Sequence, residues 1–290
     1  MKVIGCSFIR NAIRYDYPIV EAIQSILPLC DEVVVAVGKS EDDTLALVQG
    51  IHPEKIRIIK TTWQEQVRAG GQVLALETNK ALDAVLATKG DWCIYIQGDE
   101  VLHEADYDTI RIAMQTNLND TNVEGLLFQY RHFYGSYDFL GDSRNWYRQE
   151  VRIIRPDAAI RSYQDAQGFR KNNQKLWVKP VEAYVHHYGW VKHPVQQQRK
   201  QQNFNKLWHD DHWMETHIPK VSAFDYSQID SLARFTGTHP KVMHSRIARM
   251  NWTFDFDPTQ RKLSTKERLS RWWERQTGIR LGEYRNYRIL

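Results

Sequence analysis

The sequence predicts an α/β protein: a doubly wound, mostly parallel sheet followed by a helical C-terminal extension. Three observations carry this. Short runs of Val, Ile and Cys recur through the first hundred residues and read as strands buried on both faces. Segments with apolar residues at three- and four-residue spacing separate them. Beyond Pro194 the chain turns to Gln, Lys, Arg and Trp, with helical rather than alternating patterning.

In order, Val3 to Ile9 reads as a strand. Pro18 to Leu29 carries helical spacing in Ile19, Ala22, Ile23, Ile26 and Leu27, with Pro18 suited to a first turn. Glu32 to Val37 is a continuous apolar strand. A helix follows from about Asp43 to Gly50, with Asp42 or Asp43 as its N-cap. Lys55 to Lys60 makes a third strand, Gln72 to Ala87 a long helix, and Trp92 to Gln97 a fourth strand. After residue 120, Val123 to Tyr134, Tyr147 to Arg155 and Val181 to Tyr188 read as strands of mixed polarity. The expected division is residues 1–193 as one unit and 194–290 as a mainly helical extension.

The 290 residues are 42% apolar, enough for a core and against wholesale disorder. No apolar run is long enough to cross a bilayer, and Met1-Lys2 leads straight into the first strand rather than into a signal peptide. Cys6, Cys30 and Cys93 are odd in number and lack metal-ligand spacing, which predicts reduced core thiols in a cytoplasmic protein. The net charge of +4 is uneven: Arg261 to Leu290 holds nine Lys/Arg against three Glu, a local +6 that leaves −2 for the preceding 260 residues. A chain-wide nucleic-acid footprint is thereby excluded, and a basic tail marked.

The most informative stretch runs from Asp91 to Glu100, where an apolar strand ends in two adjacent carboxylates, Asp99 and Glu100. In open α/β sheets the ligand crevice lies at the C-terminal ends of the strands. A carboxylate there can hold Mg²⁺ or Mn²⁺, which take one or two protein carboxylates and fill the rest of their shell with phosphate oxygens and water. The plainer alternative is a pair of acids capping the next turn. At the same edge, Val37-Gly38-Lys39-Ser40-Glu41-Asp42-Asp43-Thr44 offers N–H groups and carboxylates to a nucleotide, or serves as an ordinary strand-to-helix loop. Asn79, just ahead of the acidic strand, is a further candidate contact or a solvent-facing residue.

In this order and spacing the segments resemble the inverting glycosyltransferases of family 2, nucleotide-sugar-dependent enzymes of GT-A fold. The resemblance starts at Ser7-Phe8-Ile9-Arg10-Asn11 and continues through Glu21 to Ile26, Cys30 to Val35 and the Ser40 to Thr44 turn. It culminates where Gly90-Asp91-Trp92 leads to Gln97-Gly98-Asp99, the place of the family's D-x-D motif. It covers residues 3–104 well, those to about His193 loosely, and the last hundred hardly at all. What it implies is a sugar donor carried on a nucleoside diphosphate. Phe8, Arg10, Asn11, Gly38, Glu41, Asp42, Asn79, Gln97 and Gly98 would lie along that donor. Asp99 would ligate Mg²⁺ or Mn²⁺, assisted by Glu100 or by His187, which stands at the family's late His-Tyr-Gly. Two positions depart from the pattern: Gln97 replaces the first Asp of the motif, and Val37-Gly38 stands where the family tends to carry a nucleotide-touching Asp.

An inverting transfer also needs a general base at the acceptor hydroxyl. Glu150 and Asp165 are the candidates, with Asp142 as a third; for Glu150 the alternative is a pairing with Arg148 or Arg152. Adjacent strand residues face opposite sides, so only one of His186 and His187 can reach a metal. Arg131, His132, Arg144 and Arg148 are candidate anion contacts. In the tail, Ser264 to Glu267 fits a capping box, Gly278 a helix stop, and the helix between them carries Leu269, Trp272 and Trp273 among basic residues. Those tryptophans either pack on the first domain with the cations left in water, the preferred reading, or touch anionic lipid at the inner face of a membrane. The acceptor implied is a cell-envelope glycan or its lipid-linked precursor. Two other readings remain. A nucleotidyltransferase on a related sheet would need a glycine-rich loop that residues 7–11 lack. A carbohydrate- or membrane-binding protein without turnover would account for the Gln97 and Gly38 departures.

Overall fold

The computed structural model describes residues 1–64, 66–67, 69–209, 211–217, 221–280 and 282–290. Strand and helix alternate through β1 (Val3–Ile9), α1 (Ile19–Ile26), β2 (Glu32–Gly38), α2 (Thr44–Gln49), β3 (Ile56–Thr61), α3 (Gln72–Leu86) and β4 (Trp92–Tyr95). The four strands pair in parallel in the order β3-β2-β1-β4. Both faces are covered, and the period-two alternation of side chains shows how. Val33, Val35 and Val37 pack with Ile19, Ile23 and Ile26 of α1, while Val34 and Ala36 between them pack with Val73, Leu82 and Val85 of α3. In β4, Trp92 and Ile94 belong to the first layer and Cys93 and Tyr95 to the second. All three cysteines are free and buried.

The rest of the main sheet is mixed. It is built from β5 (Glu100–Leu102), β6 (Gly125–Tyr134) with α4 (Tyr107–Thr116) before it, β7 (Phe139–Gly141) and β8 (Gln149–Ile154). A small separate sheet holds β9 (Ile160–Tyr163), β10 (Gly168–Lys171) and β11 (Gln174–Lys175), and the long β12 (Trp177–Trp190) returns to the main one. β8 joins β4 antiparallel, β6 joins β8 antiparallel, and β12 lies parallel to β6 with β5 antiparallel on it.

The extension is less helical than its composition suggests. Its α5 (Pro194–Lys206), α6 (Asp211–His217), β13 (Leu232–Arg234), α7 (His244–Ala248), α8 (Thr265–Thr277) and β14 (Arg288–Ile289) are separated by irregular chain. The reason is aromatic: Tyr226, Phe254 and Phe256 pack on Tyr134 and Phe139, and β13 adds to the edge strand β7. Ser264 and Glu267 form the expected capping box, and Gly278 closes α8 at φ +71°. The helix lies the other way up from the preferred expectation. Leu269, Trp272 and Trp273 are 67%, 57% and 43% exposed. Its polar face turns inward, with Arg271 on Asp142 and Glu274 on Arg148 and Arg280.

Candidate active site

After β4 the chain turns through Ile96 to Asp99 and enters β5. The turn lies so close to the end of β1 that a Cβ on Gly98 would sit 2.9 Å from Ile9 Cδ1. β5 meets β12 with Glu100 opposite His187, and the Tyr188 N–H donates to Asp99 O at 2.8 Å. This register brings Asp99 and His187 together. His186 turns to the opposite face, stacked on Phe133 with Arg131 at 3.2 Å.

Asp99 stands on the floor of a cleft that encloses, with its open mouth, about 950 Å³. Phe8, Arg10 and Trp63 form one wall, Gln97 and Gly98 share the floor, and Tyr147, Asp165 and Gln167 form the far side. Asn11 also reaches the cleft. The remaining wall is Lys200, Asn203 and Phe204 of α5, so the segment beyond residue 193 supplies part of the site. Trp63, Tyr17 and Lys200 escaped the sequence reading. Only Trp63, an isolated aromatic just past β3, carries a signal that could have been noticed.

The Asp99 carboxylate accepts from Lys200 Nζ at 2.9 Å and lies 3.8 Å from His187 Nε2. Burial raises its pKa, but Lys200, His187 and Lys192 outweigh burial and hold it well below the usual carboxylate range. Lys192 itself, fully buried and donating to Asp16 O, is pushed down to about 7 by burial and by Lys200.

A chain of ring nitrogens fixes the tautomer of His187. His132 Nε2 is 2.8 Å from the Tyr147 carbonyl, which can only accept, so this nitrogen carries the proton. Burial keeps the His132 ring neutral, which makes its Nδ1 an acceptor, and the Nδ1 of His187 at 3.0 Å must donate to it. Burial also lowers the His187 pKa. Asp99 opposes that fall, and when His187 is neutral its Nε2 lone pair faces Asp99. Gly189 keeps the space between them open, since a Cβ there would lie 2.6 Å from Nε2 and 2.9 Å from Asp99 Oδ2. Two acceptors converging on a kept gap fit a divalent cation that completes its shell from a ligand and water. Among the described residues no third His, Cys, Asp or Glu joins them.

Several expected site residues do other work. Glu100 is turned into the core, where Arg152 grips both carboxylate oxygens at 2.8 and 2.9 Å and Tyr130 OH donates at 2.7 Å; it does not reach the metal gap. Glu41 pairs with Arg14 at the surface. Asp42 accepts from the N–H groups of Arg14 and Thr44 at 2.7 and 3.0 Å, while Asp43 holds the N-cap position of α2 without a side-chain bond. Neither acid lines the cleft. Gly38 is required because the Trp63 indole packs where its Cβ would be. Asn79 accepts from Ser162 N at 2.8 Å and so pins β9 to α3. Asn11, at φ +53°, accepts from Glu41 N at 2.7 Å and holds the loop between β2 and α2 to the end of β1.

Gln97 explains its own departure from the motif. Its Nε2 donates to Ala166 O at 3.1 Å, a bond that an aspartate could not make. Ala166, at φ +63°, belongs to the strained turn between β9 and β10 that carries Asp165. Burial raises the Asp165 pKa. Glu150 lies one layer behind, accepting from Gln167 Nε2 at 2.8 Å, and burial pushes it up to about 7 against the pull of Arg152.

A raised folded-state pKa has a fixed sign. Glu150 ordinarily titrates at 4.5, so its contribution to stability is complete below that value and is lost as pH rises through about 7. Glu150→Gln, neutral at every pH, is expected to be more stable than the wild type at pH 8 by up to roughly 3 kcal/mol and about equal to it at pH 4. Urea unfolding at the two pH values checks this.

No protein-family model and no curated protein matches the chain. Among solved structures, S. aureus TarS is similar at 14% identity and TM-score 0.39 over 70% of this chain and 39% of that one. TarS 1-349 in complex with UDP is similar at 14% identity and TM-score 0.38 over 70% of this chain and 64% of that one. Glucosyl-3-phosphoglycerate synthase from Mycobacterium tuberculosis, in complex with Mn²⁺, UDP and phosphoglyceric acid, is 23% identical over 46% of this chain and 43% of its own, at TM-score 0.29. The chain thus spans less than two thirds of each, and overlaps this loose do not bear on its chemistry.

Proposed function

We propose that this chain is a glycosyltransferase that takes a sugar from a nucleoside diphosphate and delivers it, with inversion, to a glycan or lipid-linked hydroxyl. One observation carries the reading: Asp99, in the turn that follows the parallel strand β4, lines a cleft beside Nε2 of His187, with Asp165 lining the same cleft. Phe8 and Trp63, both lining the cleft, offer a face on which a base can stack. Asp99 and His187 would hold Mg²⁺ or Mn²⁺, which when bound neutralises charge on the departing diphosphate. Lys200 adds a fixed positive charge at the same place. Asp165, whose pKa burial raises, is a stronger base as a carboxylate and is suited to accept the proton of the acceptor hydroxyl.

A panel of nucleotide sugars, with and without Mn²⁺, tests the reading. Turnover that chelator and Asp99→Asn both abolish supports it, with the anomer of the product read by NMR. Pyrophosphate released from a nucleoside triphosphate would favour a nucleotidyltransferase, and glycan binding without turnover a binding protein.

The outward face of α8 suits the surface of an anionic membrane. No helix among the described residues is long and apolar enough to cross a bilayer. On α8, however, Leu269, Trp272 and Trp273 form an exposed stripe, flanked at helical spacing by Lys266 on one side and by Arg268 and Arg275 on the other. An apolar stripe with a cationic rim complements acidic lipid headgroups. The protein is expected to sediment with phosphatidylglycerol-containing vesicles at low salt, and Trp272→Ser/Trp273→Ser to lose this. Failure to sediment, or a wild-type dimer split by the same double substitution, would assign the stripe to self-association instead.

A further inference from the structure

The cation held on Asp99 is Lys200, contributed 101 residues further along the chain. Its ammonium is held on two sides, by Asp99 Oδ2 at 2.9 Å and by the Gly189 carbonyl at 2.8 Å. The Tyr17 ring, centred 5.0 Å from Nζ, lies against it. Lysine carries three donors, so one remains for a ligand, and Lys200 lines the cleft. The same Gly189 leaves the gap beside His187, so ammonium and divalent cation draw on one carboxylate from adjoining positions. Lys192, buried near both, adds to the positive field only when it is protonated. Two cations within a few ångströms of one carboxylate repel each other, unless an anion arrives to share one of them.

We infer that Lys200 is the resident counter-ion of the donor site: it guards Asp99 against divalent metal until a diphosphate arrives, and then passes its ammonium to the phosphate oxygens. This inference rests on the transferase reading. It assigns Lys200 a role that neither sequence motif nor metal ligation would give it. Metal and nucleotide are then coupled through one side chain: each weakens the hold of Lys200 on Asp99 and so favours the other.

Lys200→Met keeps the stem and removes the charge. In the nucleotide-free protein it is expected to raise Mn²⁺ affinity about tenfold or more, read by electron paramagnetic resonance, because a like charge has left the gap. With Mn²⁺ present it is expected to lower affinity for UDP, or for whichever nucleoside diphosphate binds most tightly, by about tenfold or more in calorimetry, through loss of a charge-assisted contact. Lys200→Arg should keep the low Mn²⁺ affinity, and circular dichroism confirms that both variants fold. Unchanged Mn²⁺ affinity in Lys200→Met overturns the inference while leaving the transferase reading intact, since that arm needs no nucleotide. Movement of both affinities in the same direction also overturns it. A wild type that binds no nucleoside diphosphate, with or without Mn²⁺, overturns the transferase reading and this inference together.

Discussion

Replacing Asp165 with asparagine is expected to lower turnover by roughly 10²- to 10⁴-fold while leaving donor binding within a few-fold of wild type. The side chain lines the cleft on the side away from the Phe8–Trp63 wall, where an acceptor would enter, and it sits on a turn built to hold it still. Gln164 and Ala166 flank it at φ +51° and +63°, conformations that cost free energy for residues other than glycine. Gln97 and Tyr95 secure the turn by hydrogen bonds to Ala166 O at 3.1 and 3.3 Å. Burial raises the Asp165 pKa, so the wild-type rate should climb as pH rises through that raised value, where the base loses its proton. In Asp165→Asn this limb should vanish. Steady-state kinetics over pH 5–9, with calorimetric donor binding, separates a lost base from a lost site. A variant with normal turnover would move the role of base to another carboxylate.

Arg152→Met should cost roughly 3–5 kcal/mol of stability, the usual result of stranding one half of a buried ion pair. Arg152 and Glu100 are 1% and 0% exposed, and the guanidinium spans both carboxylate oxygens. Without it Glu100 keeps, among the described residues, Tyr130 OH and the Gln97 N–H. The other arm of the guanidinium donates to the Val151 and Gln167 carbonyls at 2.9 Å, so the loss also slackens the strand that follows Asp165. Neutralising both partners in Glu100→Gln/Arg152→Met should recover most of the loss, because no uncompensated charge is left behind. Chemical denaturation of the three proteins measures this. If Glu100 serves the fold and not the metal, the double variant also keeps wild-type Mn²⁺ affinity. A fall in that affinity would return Glu100 to the ligand set.

The parallel half of the sheet was legible because its strands are buried on both faces, which writes unbroken runs such as Val33 to Val37 into the sequence. Asp99 was legible for a related reason: an apolar strand ending in acid marks the rim of a crevice. The identity of its neighbours was not. Which of Asp99 and Glu100 faces the cleft, and which of His186 and His187 joins it, depends on the pairing of β5 with β12 across more than eighty residues. Lys200 lies in the run Gln196-Gln197-Gln198-Arg199-Lys200, where nothing local distinguishes it from a solvated lysine. Amphipathic spacing revealed that α8 has an apolar face but not which way it points. Distant partners, Asp142 and Arg148, decide that by drawing the polar face inward.

Asp99 and the lysine that neutralises it are separated by a long stretch of chain, and this has a consequence for biosynthesis. A ribosome adding roughly 5–20 residues per second would release the strand bearing the acid several seconds before the helix bearing the base. Through that interval the crevice lacks its α5 wall, and Asp99 lacks the lysine that pairs with it. A polypeptide stopped at residue 193 would lack Lys200, and with it the cation that neutralises Asp99.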